Sequence, residues 1–424
     1  MISSRQAAHF LLTPIGSAGD VHPFVAIGRE LRARGHDVTI LVPGPFRQLA
    51  ERSGLDFVST FSVADFESQT RHPDLWHPRR GLRLILRTVA SLLRRTYELI
   101  SKHYQPGRTV LVGHTLAFAT RVFEEVHEVP AATIHLAPSA LRSDHQQPAF
   151  ALGVDISTAP RPLKRSFWKL VDALVIDPHI TPTLNAWRTE LGLPPVRRVF
   201  RSWLNSPQRV IGLFPDWYFP TQPDWPNQLR LVGFPLFDDS AERPIEPELD
   251  AFLAQPDPPI LFTPGSANRQ AARFFEVAVS AAARLGRRAL LVTPFREQLP
   301  ERLPEHARHV SYVPFSAVLR RCAAIVHHGG IGTSAQGLAA GIPQLVMAMG
   351  FDQPDNAMRL ARLGVGVYLS PRRFRTRRVA DTLHDLLESR ETAANCRRYR
   401  EAAASVDAVG AASDVLEDLS TMRE

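Results

Sequence analysis

A chain of 424 residues with 44% hydrophobic and 22% charged side chains exceeds one ordinary core, and two domains are expected. Its two cysteines exclude a disulfide framework, and its composition excludes a disordered or fibrous class. The formal net charge of +8 suits anionic ligands or surfaces, but no zinc spacing and no aromatic-basic string accompanies it, so no nucleic-acid partner is expected.

Residues 9–15 predict a buried strand, followed by the turn Gly16-Ser17-Ala18-Gly19-Asp20-Val21-His22. A helix is expected over 23–34, with Pro23 in its first turn and Gly35 as its stop, and a second strand over 37–42. This βαβ start predicts a doubly wound sheet. A dinucleotide site fails here: the turn lacks the GxGxxG register, and no acid follows the second strand at Val42-Pro43. Asp20 either takes a proton from a hydroxyl or merely caps the helix, and His22 is the rival base.

Residues 46–80 read as a strand and then an irregular surface with Phe57, Phe61, Phe66 and Trp76. The 3.6 period of Leu82, Ile85, Leu86, Val89, Leu92 and Leu93 predicts a helix over 79–100. Its arginines, Arg80, Arg83, Arg87 and Arg94, form a solvated basic face or one that reaches an acidic acceptor or a membrane surface. Residues 109–113 predict a buried strand ending in His114, which could pair with Asp20, orienting it and balancing its charge. A helix over 117–126 and a strand over 132–136 follow. Residues 148–215 read as irregular and apolar, with Phe167 and Trp168 among them. The first domain spans 1–237, residues 238–248 form a polar linker, and 249–424 form the second domain.

The second domain starts with a strand over 260–264 and the small-residue turn Gly265-Ser266-Ala267-Asn268. A helix over 274–285 and a strand over 289–292 lead to Val310-Ser311-Tyr312-Val313-Pro314-Phe315. A strand over 323–326 then runs into His327-His328-Gly329-Gly330, and a helix is expected over 333–340. A strand that ends in glycines and turns into a helix presents free backbone N–H groups and the positive end of the helix dipole. His328, Gly330, Gly332, Thr333 and Ser334 therefore predict a pyrophosphate cradle. A strand over 344–347 ends in Asp352-Gln353, whose carboxylate and amide suit sugar hydroxyls.

These strings resemble the nucleotide-sugar glycosyltransferases of the UDP-glucosyl/glucuronosyltransferase superfamily, which have the GT-B fold. The resemblance implies an α/β protein with two Rossmann-like doubly wound domains facing an interdomain cleft. It implies a last helix that crosses back to the first domain. It puts Asp20 in the place of the catalytic base. It puts Ser266 near the donor phosphates, Tyr312 and Val313 at the nucleobase, His328 and Thr333 at the diphosphate, and Asp352-Gln353 at the sugar. Gln336 and Gly332 depart from plant members, which carry Glu and Asn there. Phe167 and Trp168 fall where the family covers its acceptor, with His114 nearby. Within the superfamily, strings such as Gly233-Phe234-Pro235-Leu236-Phe237-Asp238 resemble the rhamnosyltransferases of rhamnolipid synthesis. That implies direct displacement with inversion, dTDP-L-rhamnose as donor and a 3-(3-hydroxyalkanoyloxy)alkanoate as acceptor.

No metal and no cofactor is expected beyond a dTDP- or UDP-sugar as donor substrate. The other readings are a polyketide, sterol or carotenoid acceptor, a nucleotide-sugar-binding partner without transfer activity, and a sugar isomerase. No run approaches a membrane span and the first residues lack a signal-peptide pattern, so a cytoplasmic location is expected, with contact at the inner face of the membrane left open.

Overall fold

The computed structural model describes residues 7–77, 80–146, 158–238 and 244–421. Residues 239–243 of the expected linker therefore lie outside the described residues, as do the start of the helix expected from 79 and part of the apolar stretch from 148.

Two parallel sheets carry the fold. The first has seven strands: β1 (His9–Thr13), β2 (Asp37–Val42), β3 (Asp56–Ser59), β4 (Thr109–His114), β5 (Ala131–His135), β6 (Arg209–Gly212) and β7 (Leu229–Leu231). Their order is β3-β2-β1-β4-β5-β6-β7. The second has six: β8 (Ile260–Thr263), β9 (Ala289–Val292), β10 (Ala307–Val310), β11 (Ala324–His327), β12 (Gln344–Val346) and β13 (Gly366–Tyr368). Their order is β10-β9-β8-β11-β12-β13. Helices cover both faces of each sheet, so central strands such as β1, β8 and β11 are buried along their whole length. Polar residues inside the sheets are paired: His9 bridges Thr109 and Thr39 across β4 and β2 at 2.9 Å each.

Two expected boundaries move. The first helix starts at Ala18, not at Pro23, because Ser17 caps it and Pro23 is accommodated in its second turn. The stretch read as irregular holds the helices Arg161–Val171 and Asp177–Glu190, joined by a π-helical turn over Asp172–Ile176. Pro160, Pro178 and Pro182, with leucines turned outward, hide the helical period there.

The last helix, Ala408–Thr421, packs on the first sheet's side, against the helix Ala18–Ala33. Ala412, Leu416 and Leu419 join the core of β1, β2 and β4. Arg34 reaches Asp414 at 2.6 Å, and His36 reaches Glu417 at 2.9 Å.

Candidate active site

Each sheet reverses its winding at one pair of neighbours, β1 beside β4 and β8 beside β11. In open α/β sheets ligands lodge outside the carboxyl ends of the strands at such points. Asp20 follows β1, His114 ends β4, Gly265 and Ser266 follow β8, and His328 follows β11.

Asp20 lies in the first turn of the helix Ala18–Ala33 rather than in a loop before it. The Ser17 N–H donates to Asp20 Oδ2 at 2.7 Å, so Asp20 does cap the helix. Its carboxylate lies over Gly16, where a Cβ would fall 2.1 Å from Oδ2; φ there is +137°. Capping occupies one oxygen. The other, Oδ1, sits 3.8 Å from His114 Nε2. The side chain keeps 32% of its surface, which leaves it reachable. Enclosure by protein, with the Asp352 carboxylate across the cleft adding to it, nevertheless pushes its pKa up to about 7 against the Ser17 bonds.

His114 is buried, and its Nδ1 accepts the Leu116 N–H at 3.3 Å, which puts the ring proton on Nε2, toward Asp20. Burial, then the nearby His135, holds its pKa down at about 3. The structure brings the expected pair together, with the neutral ring offering the carboxylate an N–H rather than a charge. His22, the rival base, packs edge-on against Phe237 with ring centroids 5.9 Å apart.

The two histidines at the end of β11 differ in their surroundings. His327 Nδ1 accepts the Gly329 N–H at 3.1 Å and Nε2 donates to Gln344 Oε1 at 2.9 Å, which pins the turn. His328 faces the site. Its ring fits between two glycines: a Cβ on Gly330 would fall 2.5 Å from Nε2, and one on Gly265 would fall 2.9 Å from Cε1. His328 Nδ1 is buried with no hydrogen-bond partner, and burial lowers the ring's pKa to about 4. A buried polar atom without a partner costs stability unless a ligand meets it.

Gly330 is the N-cap of the helix Ile331–Ala340, which starts two residues earlier than expected. Gly332 and Thr333 thus sit in its first turn, where N–H groups have no helical partner. Gly332 is exposed, with nothing within 4 Å of a Cβ placed on it. Ser334 is turned away: it is buried and its hydroxyl donates to Gly330 O at 3.0 Å, which removes it from the cradle.

Asp352 meets the same helix start. It accepts from Asn356 Nδ2 at 2.7 Å and from the Ile331 backbone, while burial lifts its pKa to about 6. Gln353 Oε1 accepts the N–H groups of Met349 and Gly350 at 2.8 and 3.2 Å. That oxygen is spent on its own loop, which leaves only the NH2 group for a sugar hydroxyl. Asn356, which the sequence reading missed, is fully buried. It also donates to Gly329 O at 2.9 Å and accepts from Tyr218 Oη at 3.1 Å, tying the turn after β11 to the segment that follows β6. Its only signal was its place one helical turn after Asp352.

Ser266 is exposed in the turn after β8, and Tyr312 is half-buried just after β10. Val313 is buried in the core of the second sheet. On the first-domain side an apolar cleft lies beside Asp20. Thr13, Pro14, Ile15 and Gly16 form one wall, and Val89 and Leu93 of the helix Gly81–His103 form the other. Phe167 and Trp168 do not line it. Trp168 is 2% exposed and lies under the Arg142 guanidinium, 4.5 Å from its ring, so packing rather than a ligand accounts for it.

Known proteins agree with this architecture. Residues 10–144 match the glycosyltransferase family 28 N-terminal domain, and residues 289–419 match the C-terminal domain of erythromycin biosynthesis protein CIII-like proteins. The chain is 31% identical to the O-mycaminosyltylonolide 6-deoxyallosyltransferase of Streptomyces fradiae, over 97% of both chains. Among solved structures, the glycotransferase of kitacinnamycin superposes with a TM-score of 0.76 at 20% identity, covering 98% of this chain and 99% of that one. The spinosyn rhamnosyltransferase SpnG complexed with thymidine diphosphate superposes with a TM-score of 0.68 at 20% identity, covering 96% and 100%.

The chain belongs to the glycosyltransferases of the GT-B fold, in the family-28-like group with an EryCIII-like C-terminal half.

Proposed function

We propose that the chain transfers a sugar, with inversion, from a nucleoside diphosphate to the hydroxyl of a hydrophobic acceptor. The observation that carries this reading is Asp20 itself: a reachable carboxylate with a pKa of about 7, beside an apolar cleft and opposite Asp352. Near neutral pH such a group exists in both protonation states, as a general base must. Asp20 takes the acceptor's proton while His114 Nε2–H faces its free oxygen. The hydroxyl attacks the anomeric carbon from the face opposite the diphosphate. The first-turn N–H groups at Gly332 and Thr333, with the His328 imidazole, take up the charge that builds on the leaving phosphate. Asp352 receives sugar hydroxyls.

For the donor we propose a dTDP-linked 6-deoxyhexose, with L-rhamnose first. For the acceptor, the full-length likeness to a 6-deoxyallosyltransferase of a tylonolide supports a natural-product aglycone over a 3-(3-hydroxyalkanoyloxy)alkanoate. Mass spectrometry of mixtures holding the chain, dTDP-L-rhamnose and an acceptor from each class tests this. A rhamnoside of the aglycone is expected. Nucleotide binding without a glycoside from any donor and acceptor would point instead to a binding partner, and sugar conversion without acceptor would point to an isomerase.

A further inference from the structure

The segment Arg161–Ile176 is built inside out. Lys164, Trp168 and Asp172 face inward, and Asp172 is fully buried between Arg142 and Arg198. The leucines face solvent: Leu163 and Leu170 are 57% exposed, Leu174 is 66% exposed, and Val175 joins them. Positions 163, 170 and 174 fall on one side of a helix. The π-helical turn Asp172–Ile176 keeps Asp172 on its arginines while Leu174 and Val175 project outward. Among the described residues, nine large hydrophobics stand exposed, and four of them lie in this short segment, so the exposure is a patch rather than scatter.

The charge around the patch has one sign. Arg161, Arg165 and Lys169 are exposed on the segment, and its one acid, Asp172, is buried and paired. The helix Gly81–His103 packs beside the π-helical turn and exposes Arg83 and Arg87, which lie near His179 on the next helix; its first acid is Glu98. Arg165 is partly engaged by Asp144, itself shared with Arg201.

We propose that this face docks on an anionic lipid surface. The segment lies in the plane of the interface, with Leu163, Leu170 and Leu174 among the acyl chains. Lys169, Arg83 and Arg87 reach the headgroup phosphates, their aliphatic stems lying along the apolar boundary, while Arg161 stays on His145 at 2.7 Å. A symmetric dimer through this face would bring two surfaces of the same basic sign together. A single convex helix also offers no groove walls to a docked peptide. The apolar cleft shares the helix Gly81–His103 with this face, so docking holds the acceptor pocket close to the bilayer.

Sedimentation of the full chain with vesicles tests the proposal without any sugar transfer. With phosphatidylcholine plus phosphatidylglycerol the chain is expected to pellet and to be released as salt rises; with phosphatidylcholine alone it stays in solution. Leu170→Glu with Leu174→Glu is expected to weaken vesicle binding by about tenfold or more while the melting temperature holds, since both side chains are exposed. Arg87→Glu with Lys169→Glu is expected to weaken it similarly. No sedimentation with anionic vesicles would overturn the proposal, as would binding unaffected by the leucine variant. So would a dimer in solution that the leucine variant dissolves while vesicle binding is absent.

Discussion

The two carboxylate oxygens of Asp20 have different surroundings. Oδ2 takes the Ser17 N–H and fixes the side chain over Gly16, and Oδ1 is left toward His114 and the cleft. Asp20→Asn keeps the shape and an acceptor for Ser17 but removes the base. Transfer is expected to fall by about 10²–10⁴-fold, with nucleotide affinity unchanged by calorimetry. Near-normal turnover would remove Asp20 from the chemistry. The raised pKa fixes the sign of the pH dependence: the base works deprotonated, so kcat/KM should rise as pH passes through about 7. A flat profile across that range would contradict it. Linkage runs the other way for the fold. A carboxyl raised from 3.8 favours the native state most at low pH and loses that contribution as pH climbs toward about 7. At pH values above 7, Asp20→Asn should therefore melt no lower than the parent chain. The sequence showed Asp20 as base or as cap and could not show that capping leaves its second oxygen open toward His114, since that depends on where each oxygen points. The identity of Asn356 as the support of Asp352 was equally hidden, because its partners come from three separate segments.

The helix Ile331–Ala340 and the strand before it were readable because glycines, histidines and the period of a buried helix agree over one short stretch. The two-residue shift in its start, from 333 to 331, has a plain cause. Gly330 can cap without a side-chain bond, so no Ser or Asp marked the boundary. The shift brings Gly332 and Thr333 into the turn with unpaired N–H groups and leaves Ser334 outside it. The His328 slot gives a clean steric test, because Gly330 has an ordinary φ of −61° and a methyl group there strains no backbone. Gly330→Ala should push the imidazole aside and weaken thymidine diphosphate binding by about tenfold or more, on the scale of one charge-assisted hydrogen bond. Undiminished binding would mean that His328 does not touch the diphosphate. The helices Arg161–Val171 and Asp177–Glu190 were not read as such: the inward face of the first holds Lys164 beside Trp168, and Pro178 and Pro182 mask the Ile180, Leu184, Trp187 period of the second.

The doubly wound sheets were legible from alternating strand and helix patterns. The pairing of the last helix with the first sheet came only from resemblance, since nothing local in residues 408–421 names a partner nearly 400 positions away. That pairing makes the two halves interdependent. Leu416 is fully buried among residues of β1, β2 and the helix Ala18–Ala33. Leu416→Ala should cost about 2–5 kcal/mol in denaturant unfolding, and a negligible loss would mean that the helix docks only loosely. The same closure sets the carboxyl edges of the two sheets face to face, with Asp20 on one side and the start of the helix Ile331–Ala340 on the other. A crystal structure with thymidine diphosphate bound tests that arrangement most directly. The diphosphate is expected at the N–H groups of Gly332 and Thr333, within reach of His328, with Asp20 facing the space where the sugar attaches. A diphosphate bound elsewhere, or one walled off from Asp20, would contradict it.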